Sequence, residues 1–109
     1  MVFCSTIYNE ISPNGDDLNE YLHIDCLEQL KTKRIFVYNR WGDLVYENKN
    51  YENDEKAFRG ESNVGLHITK NRKLPDGTYF YIFEREFIDG LTDKPRGIQT
   101  DRSWLYINR

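Results

Sequence analysis

Ser12-Pro13-Asn14-Gly15-Asp16-Asp17-Leu18-Asn19-Glu20 is the stretch whose side chains come closest to a metal-binding set. Asn14, Asp16, Asp17 and Asn19 have the chemistry to converge on Ca²⁺, a hard cation that takes about six to eight oxygen ligands. The spacing is not that of an EF-hand loop, because Leu18 stands where a third ligand would fall. The alternative is an Asx-rich turn whose side chains cap their own backbone amides. Calcium or no cofactor at all are the two expectations for this loop.

Cys4 and Cys26 are the next reactive pair. If the first two strands fold as an antiparallel pair centred on Gly15, the two cysteines lie opposite each other and a cross-strand disulfide is open to them. An extracellular setting favours that bond. Two buried free thiols, packing as small apolar residues, are the other outcome. His23 and His67 stand far apart, with no HExxH pattern and no Cys/His spacing for a metal. A G-x-S-x-G elbow, a phosphate-binding glycine loop and a nucleotide fingerprint are all missing. The many carboxylates fall mainly in polar loops, where they solvate. The chain reads as non-enzymatic.

Trp41, Tyr51 and Trp104 invite a second kind of chemistry, stacking on sugar rings, although aromatics at strand spacing are more often core. Aromatic residues make up 15% of the chain against a hydrophobic total of only 39%, so a few large side chains must supply most of the buried area. A chain of 109 residues has room for one domain and one core. With a formal charge of −3 and no basic run, it lacks the footprint of a nucleic-acid or anionic-membrane binder. Its longest apolar runs, such as Tyr79–Phe83, are far too short to span a bilayer. Met1-Val2-Phe3-Cys4 has neither the basic start nor the apolar core of a signal peptide. Met1 reads as an added start, and the chain as one domain excised from a much larger protein.

The elements that must carry these residues are strands. Val2–Ser12, Glu20–Leu27, Ile35–Tyr38, Leu44–Tyr46, Val64–Thr69, Thr78–Phe87 and Gly97–Asn108 are each rich in β-branched and aromatic residues. Turn chemistry separates several of them, above all at Pro13–Asp17 and at Leu74-Pro75-Asp76-Gly77. Asn48–Asn63 reads as a long surface loop pinned by Tyr51 and Phe58. At the centre, a three-residue loop Arg40-Trp41-Gly42 joins two strands, with Gly42 in a left-handed conformation and Asn39 facing Asp43. That register pairs Val37 with Val45. It places Ile35, Val37 and Val45 on one face, and Phe36, Tyr38, Leu44 and Tyr46 on the other. Both faces are apolar, so the hairpin is expected to be covered on both sides. The fold expected is all-β, an immunoglobulin-like β-sandwich of about seven antiparallel strands.

Taken in order, several of these pieces resemble one family. Ser12-Pro13-Asn14-Gly15-Asp16, Asn39-Arg40-Trp41-Gly42, Val45-Tyr46-Glu47, Tyr51, Asn53-Asp54 and Leu74-Pro75-Asp76-Gly77-Thr78-Tyr79-Phe80-Tyr81 follow the pattern of the gliding-motility-associated C-terminal domain, the type B sorting domain of the type IX secretion system. Asp17 and Glu20 depart from that pattern in the first loop, Phe58-Arg59-Gly60 stands in for its W-D-G, and Leu66–Asn71 looks like an insertion. The resemblance implies a non-catalytic C-terminal secretion signal that directs cargo, typically a gliding adhesin, across the outer membrane of Bacteroidetes-type bacteria to the cell surface or medium. It implies two partners, the type IX translocon and a PorP/SprF-type outer-membrane protein. The residues expected to carry recognition are Arg40, Trp41 and Gly42 at the tip, with Trp104, Tyr106, Ile107 and Arg109 on the last strand. The competing expectation for Trp41 is that it folds back over Tyr38 or Tyr46 and closes the core. A carbohydrate-binding or adhesive module on the same fold is the alternative function.

Overall fold

Five strands form one sheet: β1 (Glu10–Ile11), β2 (Leu30–Tyr38), β3 (Leu44–Asn48), β4 (Gly77–Phe87) and β5 (Gln99–Ile107). Their hydrogen-bonded order is β1-β5-β4-β2-β3. The structure is a computed structural model, and it describes residues 7–13, 20–25, 27, 30–54, 56–64, 73–87 and 98–108. The all-β class is as expected. The strand count differs: five strands stand among the described residues, and β1 runs parallel to β5 while the other pairings are antiparallel.

The parallel pairing has a local cause. Around Asn9 the N-terminal segment changes partner: Tyr8 N donates to His23 O (3.0 Å), whereas Tyr106 N donates to Asn9 O (2.8 Å). Among the described residues this segment makes two short pairings, and Ile7 meets Ile24 in a single bridge. That bridge is antiparallel, as expected, but one residue out of the register centred on Gly15. Cys4, Cys26 and the candidate calcium ligands Asn14, Asp16, Asp17 and Asn19 lie outside the described residues, as does most of the strand expected at Val64–Thr69.

Alternation along the long strands sets the core. Ile35 and Val37 face Phe83 and Tyr81 across β2 and β4, and Tyr79 faces Leu105 across β4 and β5. All six are buried on one face of the sheet. The opposing layer is made of Leu22, Ile24, Leu27, Tyr51, Phe58 and Leu74, which join the same apolar cluster. In this sandwich β5, β4, β2 and β3 occupy the G-F-C-C′ positions of an immunoglobulin-like sheet. Tyr79 supplies a second mark of that fold. Near the start of β4, its hydroxyl donates to Pro75 O four residues upstream (2.7 Å), a tyrosine corner that fixes the turn entering the strand.

The 49–64 loop is pinned where expected, since Tyr51 and Phe58 are fully buried. The Tyr51 hydroxyl donates to Leu22 O (2.6 Å) and accepts from Phe58 N (2.9 Å). Leu22 N in turn donates to Phe58 O (2.9 Å), so one phenol joins two backbone segments that are also joined to each other.

The hairpin register needs correction. Val37 faces Tyr46 and Tyr38 faces Leu44, with a bulge between. Val45 is the extra residue, and its insertion turns Tyr46 onto the inner face. There Tyr46 packs on Phe58 (centroids 4.8 Å) and meets Tyr51 edge-on (6.4 Å, 83°).

Two predictions follow from this packing. Tyr51→Phe leaves a buried carbonyl and a buried amide without their partner and is expected to cost about 1–3 kcal/mol, read as a lower urea midpoint. Burial pushes the Tyr46 hydroxyl from 10.0 up to about 12 and raises Tyr51 as well. The folded state therefore keeps protons that the unfolded chain releases, so stability is intact below about pH 10 and falls between about pH 10 and pH 12. Denaturation midpoints are expected to drop across that window, less steeply in Tyr46→Phe.

Candidate functional site

The hairpin tip is built by one side chain. Asn39 Oδ1 accepts from Trp41 N (3.0 Å) and Asp43 N (2.9 Å), while Asn39 O accepts from Gly42 N (3.0 Å). Asn39 N donates to Asp43 O (2.9 Å), the facing pair expected from the sequence. Gly42 sits at φ 84°, and a Cβ built there would meet nothing within 4 Å. Backbone conformation, not crowding, is what requires glycine. Fixed at the turn between them, Trp41 is 72% exposed, with the Arg40 guanidinium 4.3 Å from its ring centroid. Trp41 does not fold back over the core.

Beside the tip lies a small cleft of about 110 Å³ between Asn39-Arg40-Trp41 and the turn Pro75-Asp76-Gly77-Thr78. The two turns that line it are both among the stretches that resemble the sorting family. The tyrosine corner holds the second turn against the sheet.

The outer sheet face continues from this cleft. Thr78 pairs with Tyr106, and Tyr38, Phe80 and Trp104 stand in one cross-strand row. The Phe80 and Trp104 rings stack at 4.1 Å with a 34° tilt. Trp104 is 49% and Tyr106 44% exposed. The expected cover on both faces is thus corrected: the inner face is buried, whereas on the outer face Phe36, Tyr38, Phe80 and Ile82 are half-buried and β5 faces solvent. Apolar side chains here shield one another across strands instead of meeting a second layer.

Of the residues expected to carry recognition, Arg40, Trp41, Gly42, Trp104 and Tyr106 are exposed. Ile107 is not. It points inward at 2% exposure, in register with Ile11, because the alternation that exposes Tyr106 buries its neighbour. Arg109 lies outside the described residues. Sequence reasoning did not single out Arg102, which the alternation of β5 exposes on the same side as Trp104 and Tyr106.

Other polar groups hold segments together. Asn53 bonds both the N–H and C=O of Ile24 (3.1 and 2.7 Å), and Asn63 does the same to Glu47 (2.9 and 2.8 Å). Each side-chain amide stands in for a strand partner. Tyr8 and His23 both bond Asp25 (2.9 Å each), and Tyr21 meets His23 Nδ1 at 3.3 Å, a surface clasp between two segments. An open polar cleft of about 410 Å³, lined by Tyr46, Glu47, Lys56, Arg59 and Glu61, lies on the β3 side. Among the described residues no three His, Cys, Asp or Glu side chains gather to hold a metal.

Strand order, tyrosine corner and exposed tip define a small all-β domain of immunoglobulin-like architecture. Within that class, the chain belongs to the CHU_C type IX secretion signal domain family, whose model matches residues 5–107. No match was found among curated proteins or among solved structures. Membership assigns the chain a sorting-signal role in type IX secretion, which implies export toward the cell surface or into the medium.

The tip geometry predicts opposite responses at adjacent positions. Gly42→Ala is expected to cost about 1–2 kcal/mol through its left-handed backbone alone, despite meeting no neighbour. Trp41→Ala is expected to stay within about 0.5 kcal/mol of the parent. Urea denaturation of the two variants checks both.

Proposed function

We propose that this domain is the address read when its parent protein is exported, and that the tip Arg40-Trp41-Gly42 is the part read first. The parent is a surface adhesin, and the readers are the type IX translocon and a PorP/SprF-type outer-membrane protein. One observation carries this reading: Trp41 stands 72% exposed on a turn that its neighbours hold rigidly. A large aromatic held open costs little entropy to bind, and with Arg40 stacked on it the pair has the composition of an interface hot spot. Trp104 and Tyr106 on β5 extend the surface, while Ile107 acts only through the core. Recognition of this kind needs neither catalysis nor a cofactor.

The second reading, a carbohydrate-binding or adhesive module, is favoured by the solvent-facing rings of Trp104 and Tyr106. Export and glycan binding separate the two. A reporter fused to the domain and carrying Trp41→Ala is expected to remain folded, with an unchanged melting temperature, and to stay inside the cell. Unimpaired export of that variant, together with a positive glycan array for the parent domain, would favour the module instead.

A further inference from the structure

Arg102 is the feature of the outer face that the tip does not explain. It faces solvent on β5 between Thr100 and Trp104, opposite Ile82 on β4, and no carboxylate pairs with it among the described residues. The carboxylates Glu84 and Glu86 on this face already have cations of their own: Arg34 Nε lies 3.1 Å from Glu84 Oε1 and Lys31 Nζ 3.7 Å from Glu86 Oε2. Along the strand direction, the row Tyr38-Phe80-Trp104 therefore lies between two cations, Arg102 on one side and Arg40 at the tip on the other. The chain as a whole carries a charge of −3, so this pairing of guanidiniums with aromatics runs against its average. A ligand matching the face would carry apolar groups in the middle and carboxylates at the ends.

The cleft beside Trp41 narrows the class further. At about 110 Å³ it falls well below the range of about 300–1,000 Å³ typical of small-molecule sites, and suits a single inserted side chain. Thr78 lines the cleft, and its cross-strand neighbour Tyr106 belongs to the outer face, so cleft and face adjoin. A spaced set of one side-chain pocket, one aromatic row and two cations is what an extended polypeptide can meet at successive residues.

We infer that the export partner lays an extended polypeptide segment across the outer face, with one apolar side chain in the Trp41 cleft and carboxylates beside Arg40 and Arg102. This rests on the reading that the domain is an address, and specifies what reads it. Arg102→Glu is expected to cut export of the fused reporter about tenfold or more, with an unchanged melting temperature, while Arg102→Lys keeps most of it. Trp104→Ala is expected to match the loss. Export of Arg102→Glu at the parent level overturns the docking surface, and if Trp41→Ala is still retained the address reading survives without it. Export of all these variants at the parent level removes both.

The class of occupant is read separately, by placing a photoreactive benzoylphenylalanine at Thr100 in the exporting strain. The expected product joins this position to another protein, within a peptide whose apolar residues are flanked by Asp or Glu. A crosslink to a second copy, to a glycan or to a peptide without acidic flanks overturns the inference, as does undiminished export with no crosslink.

Discussion

The Tyr51 hydroxyl is the contact on which the second layer depends. It donates to Leu22 O and accepts from Phe58 N, and neither segment belongs to a strand of the five-stranded sheet. A buried backbone group without a partner costs roughly 1–3 kcal/mol, so a layer made of irregular chain cannot exist without such substitutes. Asn53 and Asn63 solve the same problem at Ile24 and Glu47, each with one side-chain amide bonding both backbone groups of its target. The layer opposite the sheet is thus held by side chains doing what a ladder of strands does elsewhere. Phe58, brought in by this arrangement, then receives Tyr46 on its ring.

That dependence explains why the hairpin bulges. Without the extra residue Val45, Tyr46 would face outward with Phe36 and Tyr38, and the Phe58 ring would lose its partner. With it, Tyr46 turns inward and its hydroxyl donates to Lys56 O (2.8 Å), tying β3 to the same loop that Tyr51 anchors. The strand pair is then drawn inward at Tyr46 while its tip, beyond the bulge, remains free of the core. Core packing and tip exposure are two results of one inserted residue.

Much of this was legible in the residues. The Arg40-Trp41-Gly42 loop, its left-handed glycine, the facing of Asn39 and Asp43, and the burial of Tyr51 and Phe58 all follow from local chemistry, because turns and lone aromatic anchors are decided within a few residues. The bulge was not legible: its cause is the need of Phe58 for a ring, more than ten positions away. Nor was the parallel pairing of Glu10–Ile11 with β5, which joins the two ends of the described chain. The surface residues divide along the same line. Trp41 was found from its turn, whereas Ile107 was misplaced because the facing of β5 depends on where that strand enters the sheet.

The outer face shows how a small domain reconciles stability with recognition. Its inner core is supplied by few, large aromatics, and their strands necessarily carry every second side chain to the other side. Charged residues at all those outward positions would keep the face inert. Here Arg34 and Glu84 neutralise each other, while Tyr38, Phe80 and Trp104 shield one another across three strands. Mutual shielding makes the exposed apolar area tolerable in water, yet it is incomplete at β5, where half of Trp104 remains open. An apolar row that is stable when free and still improvable on contact is the physical requirement for an address. It must survive as a folded surface before the reader arrives, and it must still have area left to bury when it does.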